Sequence, residues 1–216
     1  MLSENVRRQL LNLGTSREYL PDSVLILEGD PGTDVMVLLD GWAKVVGSTE
    51  GGGQALLSLR VGGDLVGEQA ALNNAPRTAT VISAGVTVVQ VVSQRDFLQF
   101  LDRQPDAGIA VSRALSNELR WATRRRIDFS GLPVIARLAR VLSDLGHLYG
   151  RQSPDGIEFR YTLTQPELAA MVGASEPAVH KALRQLRQAG AVVTGYRRVV
   201  ITNPAALEAI ASPETR

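Results

Sequence analysis

The sequence predicts an α+β chain in three successive parts: an antiparallel roll or sandwich of short strands, one long helix, and a winged helix-turn-helix. Three observations predict it. Short Val- and Leu-rich runs broken by turn signals fill residues 23–93. More than twenty residues without Gly or Pro follow Gly108. Residues 163–190 then carry two helix starts separated by a glycine turn.

Composition sets the outer limits. The 216 residues suffice for one large domain or two small ones, and 44% apolar content is that of a folded chain. With no Cys there is no disulfide frame, iron–sulfur cluster, thiolate nucleophile or Cys-based zinc site. His147 and His180 are the only histidines, which argues against a His-rich metal site or a Ser-His hydrolase. No apolar run has the length of a membrane span, and MLSENVRRQL lacks a signal-peptide core. The expectation is a cytoplasmic protein that is not an enzyme and holds neither a metal nor a covalent cofactor. The net charge of +1 hides an asymmetry: residues 1–111 hold 8 basic and 13 acidic side chains, residues 112–216 hold 15 and 9. An acidic front and a basic back imply two domains with different partners.

In the first part, Asp30-Pro31-Gly32 reads as a turn and Asp40-Gly41 as a type I′ hairpin turn. Gly51-Gly52-Gly53 separates that pair from the next strand, and Ala84-Gly85 divides the last two strands. Residues 94–105 read as a short helix. In the long helix that follows, Leu115, Leu119 and Ala122 are spaced four and three, with Ile109, Val111 and Trp121 adding apolar surface. That spacing marks a seam against a partner helix, because about 20 residues span roughly 30 Å, more than a small roll covers. Ser130-Gly131-Leu132-Pro133 breaks the helix as a hinge, and residues 134–149 form another amphipathic helix.

In the last part, Thr164 and Glu167 are spaced as a capping box, with Pro166 in the first turn. Gly173 supplies the tight turn and Ser175 the cap of a second helix, whose inward face is Val179, Ala182, Leu183 and Leu186. The outward face presents Glu176, His180, Lys181 and Arg184. AVVTGYRRVVI reads as a hairpin with Gly195 near its tip and Arg197 and Arg198 beside it, placed to reach phosphate. This is the grammar of a DNA-binding winged helix-turn-helix. The DNA-facing candidates are completed by Thr164 and Gln165 at the start of the first helix and by Ser175, Pro177 and Ala178 at the start of the second.

A second signature lies in residues 67–81, GEQAALNNAPRTATV. Gly67 lets backbone approach a ligand, and the turn beginning at Glu68 and Gln69 offers free N–H groups to an anion. Arg77 supplies a bidentate fork for phosphate and Thr78 a hydroxyl. Glu68 would repel phosphate, so its fitting role is to accept a sugar hydroxyl. Phosphate and ribose together point to a nucleotide.

With these residues in view, the chain resembles the cyclic-AMP receptor protein (CRP/FNR) family of bacterial transcription regulators across about residues 10–203. That family's phosphate-binding cassette stands here as Val66-Gly67-Glu68 through Ala70-Ala71-Leu72 to Arg77-Thr78-Ala79, with only the leading aromatic replaced. The resemblance implies a cyclic-nucleotide-binding β-roll over 1–105, a dimerisation helix and hinge over 106–130, and a winged helix-turn-helix DNA-binding domain over 131–216. It implies that Glu68 takes the ribose hydroxyl, and that Arg77, Thr78 and the amides near Ala70 and Ala71 hold the cyclic phosphate. It also implies a homodimer joined through Ile109, Leu115, Leu119 and Ala122, controlled by a cyclic nucleotide and bound to a near-palindromic duplex, with RNA polymerase as a further partner. The Thr-Ser pair that reads adenine in the cyclic-AMP sensors falls on Ala122-Thr123. Cyclic AMP is therefore the first expected effector, cyclic GMP the second because Thr78 resembles guanine-favouring residues, and a ligand-free regulator the third. A nucleotide-gated adaptor that binds protein is the rival from another class. Family members that read TGTGA carry Arg, Glu and Arg where this chain has Glu176, Pro177 and Lys181, so a different operator is expected.

Overall fold

A computed structural model of the chain describes residues 4–50, 52–159, 163–195 and 198–212. It divides into two compact units, residues up to Arg120 and from Trp121 onward. The boundary falls inside a single helix, α4 (Pro105–Gly131), within one residue at either end of the 106–130 read from sequence.

The first unit begins with α1 (Glu4–Leu11) and β1 (Thr15–Tyr19), neither of which the apolar pattern announces. β2 (Val24–Ile26), β3 (Val35–Asp40), β4 (Trp42–Ser48), β5 (Gln54–Val61), β6 (Leu65–Val66), β7 (Thr80–Ser83) and β8 (Thr87–Val92) complete two four-stranded antiparallel sheets, ordered β1-β8-β3-β6 and β2-β7-β4-β5. The hairpin expected at Asp40-Gly41 is not formed. β3 pairs with β8 and β6, whereas β4 pairs with β5 and β7, so the chain passes from one sheet to the other at Gly41. Ala84-Gly85 makes the same kind of passage between β7 and β8. Gly41 takes a positive φ but Asp40 does not, so the turn is not type I′; pairing is decided by which apolar faces meet in the core, a long-range property. In place of a turn at Asp30-Pro31-Gly32, the hydrogen-bonded turn spans residues 27–30, where the Asp30 N–H donates to the Leu27 carbonyl at 3.2 Å.

Two apolar clusters fill the roll. One joins Leu25, Ile26, Met36, Leu38, Val66, Val81 and Val89 between the sheets. The other joins Val35, Val37 and Val92 to Phe97 and Phe100 of α3 (Gln94–Arg103), Ala71 of α2 (Glu68–Asn73), and Ala107 and Val111 of α4. Leu115 packs against this second cluster, so the four-residue series Ala107, Val111, Leu115 faces its own roll. Among the proposed seam residues, Ile109 and Leu119 are 49% and 68% exposed and Ala122 is exposed as well.

In the second unit α5 (Val134–Tyr149) packs against α6 (Gln165–Val172), α7 (Glu176–Gln188) and α8 (Pro204–Ala211). Leu138, Leu142, Leu168, Val179, Leu186 and Leu207 are almost fully buried among them. Beside the helices lies a sheet ordered β11-β12-β10-β9, made of β9 (Gly150–Ser153), β10 (Gly156–Phe159), β11 (Val192–Gly195) and β12 (Arg198–Ile201). The 134–149 helix and the β11–β12 hairpin match the sequence expectation; the β9–β10 hairpin does not appear in it. Among the described residues no helix is long and apolar enough to cross a membrane.

Gly41 sits at φ +80°, and a Cβ there would lie 2.3 Å from the Val86 carbonyl oxygen. Gly41→Ala should therefore lower the unfolding free energy by at least about 2 kcal/mol in urea titration, from the left-handed φ and the clash together. A loss under about 0.5 kcal/mol would mean that the sheet passage is not constrained there.

Candidate functional site

The cassette is built around one arginine. Arg77 is only 7% exposed, and its backbone is pinned on both sides: its N–H donates to the Asp30 carbonyl and the Gly29 N–H donates to its carbonyl, each at 2.9 Å. Its Nη1 donates to the Gly67 carbonyl at 3.0 Å and its Nη2 to the Asp34 carbonyl at 2.7 Å. Among the described residues no carboxylate stands within ion-pairing distance of it. Burial lowers its pKa from the ordinary value, with Asp34, Asp30 and Glu68 acting the other way. A buried guanidinium with five donors, given carbonyls but no anion, is a site prepared for one.

Gly67 is required where it stands. Its φ is +85°, and a Cβ would fall 2.4 Å from Arg77 Nη1 and 2.7 Å from the Asp34 oxygen. α2 starts directly after it. The Ala71 N–H donates to the Gly67 carbonyl at 3.2 Å, and Ala71 packs in the core. The expected role of Ala71 in holding the anion is thus corrected: its amide is already bonded, and it does not line the pocket. Gln69, Ala70 and Thr78 do.

Glu68 is 7% exposed. Burial is the largest influence on its carboxyl and raises its pKa; its own backbone N–H, Arg60 and Arg77 oppose this, while Glu118 adds to it. The same cavity is closed by Arg60 of β5 and Glu118 of α4, which form an ion pair. The sequence reading missed both. Ile26, Val45, Leu65 and Val81 supply apolar wall. The space is about 400 Å³ counting the open solvent at its mouth. Thr123, the expected base contact, is exposed on α4 in the second unit.

The second candidate surface belongs to the helix-turn-helix. Thr164 and Glu167 form the predicted capping box: the Thr164 hydroxyl accepts from the Glu167 N–H at 3.3 Å and the Glu167 carboxylate accepts from the Thr164 N–H at 2.7 Å. Gly173 turns at φ +61°, where a Cβ would meet the Phe129 ring at 2.9 Å. Ser175 holds the cap position of α7, but its hydroxyl makes no cap bond, a correction to its expected role. Val179, Ala182, Leu183 and Leu186 are buried as predicted. Gln165, Glu176, Pro177, His180, Lys181 and Arg184 are exposed and Ala178 is half-buried.

The wing differs from expectation. Arg198 Nε donates to Glu158 at 2.8 Å and Nη2 reaches Asp155 at 3.3 Å, so its charge is held by the β9–β10 hairpin. Arg198 is thus ion-paired on the surface of this unit. Arg197 lies outside the described residues.

Two domain families match in tandem: cyclic nucleotide-binding domain over residues 16–104 and Crp-like helix-turn-helix domain over residues 136–210. The chain belongs to the CRP/FNR family of bacterial transcription regulators. A CRP-like cAMP-activated global transcriptional regulator of Mycobacterium tuberculosis is 29% identical over 178 residues, 82% of this chain and 79% of the relative. A CRP-family transcriptional regulator of Thermus thermophilus superposes with a TM-score of 0.75 at 25% identity, over 91% of this chain and 96% of the other. A CooA variant of Carboxydothermus hydrogenoformans gives 0.80 at 16% identity, over 94% and 90%. This CRP/FNR member is accordingly a cyclic nucleotide-binding regulator of transcription and not an enzyme. Among the described residues no group of three or more His, Cys, Asp or Glu side chains is placed to hold a metal ion.

Because burial raises the Glu68 pKa, the folded state binds its proton more tightly than the unfolded chain. The stability this gives is present below the ordinary value of 4.5 and is lost as pH rises through the folded pKa. Glu68→Gln should therefore raise the melting temperature of the nucleotide-free protein at pH 7, and the gain should vanish below about pH 4. Melting curves across pH check this; a variant less stable than wild type at pH 7 would contradict it.

Proposed function

We propose that the chain acts as a homodimer whose grip on a near-palindromic operator is set by a cyclic nucleotide in the roll pocket. The observation that carries the reading is Arg77, a buried cation held by two carbonyls beside a positive-φ glycine, with no carboxylate among the described residues at ion-pairing distance. A cyclic phosphodiester supplies the missing charge, Gln69 and Ala70 amides and Thr78 add donors, and Glu68 takes the ribose hydroxyl. The mycobacterial relative's name brings cyclic AMP forward as effector. Thr78 brings cyclic GMP forward as the second.

The helix α4 carries the dimer seam through Ile109, Leu119, Ala122 and Thr123, its 107–111–115 face being engaged with the roll. Two-fold symmetry then places the recognition helices α7 about one DNA turn apart, roughly 34 Å. Lys181 and Arg184 carry the positive charge of that helix's exposed face, and Glu176 accepts from a cytosine amino group where an arginine would grip guanine. RNA polymerase is the further partner, and the cytoplasm is where such a dimer works. The adaptor reading draws its support from Arg198, whose ion pairs remove one cation from the wing.

Two measurements test this reading. Arg77→Leu should abolish nucleotide binding in calorimetry while the chain keeps its far-ultraviolet circular dichroism; undiminished binding would refute the pocket. Lys181→Ala or Arg184→Ala should weaken operator binding by about tenfold or more in fluorescence anisotropy, whereas Arg198→Ala should change it less than about threefold. Equal losses at all three positions would restore the wing as a phosphate contact, and no loss at any would favour the adaptor.

A further inference from the structure

The sequence marks Ser130-Gly131-Leu132-Pro133 as a hinge, but the side chains on either side of it are bound to each other. Asp128 is buried and ion-paired with Arg140 of α5, whose Nε also donates to the Ala211 carbonyl of α8 at 2.7 Å. Phe129 carries the Arg137 guanidinium over its ring at 4.9 Å, and Arg137 Nη1 donates to the Val172 carbonyl at the end of α6 at 2.8 Å. Two turns earlier the Trp121 indole N–H donates to the Asp144 carboxylate of α5, and Arg125 lies over the same indole at 4.2 Å. The corner itself is ordered: the Leu132 N–H donates to the Asp128 carbonyl at 2.9 Å, and Pro133 holds φ −65° at the start of α5. Opening the angle between α4 and α5 therefore means parting a buried ion pair, which leaves both charges without a partner. Upstream, the ties run the other way. Val111 and Leu115 pack on the roll, and Glu118 is paired with Arg60 of β5. Between Glu118 and Trp121 stand only Leu119 and Arg120, both exposed. The division into two compact units falls at the same place, after Arg120.

We propose that residues 121–133 travel with the DNA-binding unit as one body, and that regulation bends α4 at Leu119-Arg120 and not at the glycine–proline break. The clasp between α4 and α5 stands on its own contacts. That the bend answers to a ligand rests on the reading of the roll pocket as a cyclic nucleotide site. A helical turn with little packed against it opens locally at lower free energy than one locked by buried contacts, so the two exposed residues are the softer place. Glu118, the last residue before the bend, lines the pocket, and Trp121, the first after it, is held to α5. One helical turn thus separates the sensing side chain from the driven one. Arg137 carries the clasp onward, because its bonds to the Val172 and Gly173 carbonyls fix the turn between α6 and α7 to the end of α4. The proposed dimer seam is divided by the same bend: Ile109 and Leu119 lie before it, Ala122 and Thr123 beyond it. The second pair then engages its partner in only one of the two states.

Hydrogen exchange of the full chain, read by mass spectrometry, tests the clasp and the bend separately. Without nucleotide, the amides of residues 125–131 should exchange within about threefold of those in α5. Trp121→Phe, which keeps a ring but removes the indole donor, should speed them by at least about threefold and leave the roll strands unchanged. Exchange of 125–131 more than about tenfold faster than α5 in the wild type would overturn the clasp. With cyclic AMP or cyclic GMP at a concentration that saturates calorimetric binding, the change in protection should centre on residues 119–123, whose N–H bonds span the bend. A change centred on residues 129–134 would overturn the assignment of the bend. Operator affinity gives a second readout. Gly131→Ala stiffens the break, and its added Cβ meets nothing within 4 Å. It should alter the nucleotide-dependent change in operator affinity by less than about twofold, whereas Arg120→Gly, which loosens the bend, should alter it by at least about fivefold. The reverse order would return the hinge to the break. Binding of neither nucleotide would overturn the pocket reading and with it the ligand-driven bend, while the nucleotide-free exchange of 125–131 still decides the clasp.

Discussion

The regulatory half of this protein depends on one buried charge. Arg77 is held inside the roll by the carbonyls of Gly67 and Asp34, and by main-chain bonds to residues 29 and 30. Taking a guanidinium out of water without an anion is unfavourable by several kcal/mol. The fold accepts that expense because the surrounding strands fix the fork before any ligand arrives. Gly67 is the other half of the arrangement, since no side chain fits between its Cα and the Arg77 fork. Glu68 next to it is held in the opposite condition, a carboxyl pushed toward its neutral form by burial. An anion and a hydroxyl donor, arriving together on one small molecule, relieve both.

The same logic organises the helix that leaves the roll. Ala107, Val111 and Leu115 give it a footing on the roll, and Glu118, one turn on, closes the cavity through Arg60. A ligand that engages this pair therefore touches the helix itself. Farther along, Leu119, Ala122 and Thr123 lie exposed, and the residues from Trp121 onward belong to the unit that carries the helix-turn-helix. The chain runs from the cavity's Glu118 into the helix-turn-helix unit along α4. The ligand shifts the equilibrium only as far as its affinities for the two states differ.

How much of this was legible in the sequence follows from how local each signal is. The cassette was legible because every position is chemically forced: a glycine at positive φ, a carboxylate, an arginine and a hydroxyl within a dozen residues. The helix-turn-helix was legible for the same reason, through Thr164, Glu167, Gly173 and the inward face of α7. β1 was not, because its residues Thr15 to Glu18 are exposed and carry no apolar alternation. The passage between sheets at Gly41 was hidden because turn chemistry does not encode which strand will be the neighbour. The packing of Leu115 on the roll was hidden because helical spacing alone does not distinguish a partner from the chain's own roll. Arg60 and Glu118 were invisible for a stronger reason: each is an ordinary charged residue in its own segment, and only the fold makes them a pair. Arg198 looked free because the Ser153-Pro154-Asp155-Gly156 turn, which brings Asp155 and Glu158 beside it, was not read as a hairpin.

The central claim is that the roll pocket and the DNA-reading surface are energetically coupled. Its most direct measurement is operator affinity of the full chain, titrated by fluorescence anisotropy at fixed salt with no nucleotide and then at saturating cyclic GMP or cyclic AMP. The account predicts a nucleotide-dependent change of about 5- to 150-fold, matched by an equal change in nucleotide affinity when operator is bound. Nucleotide that binds the protein yet leaves operator affinity unchanged would contradict it.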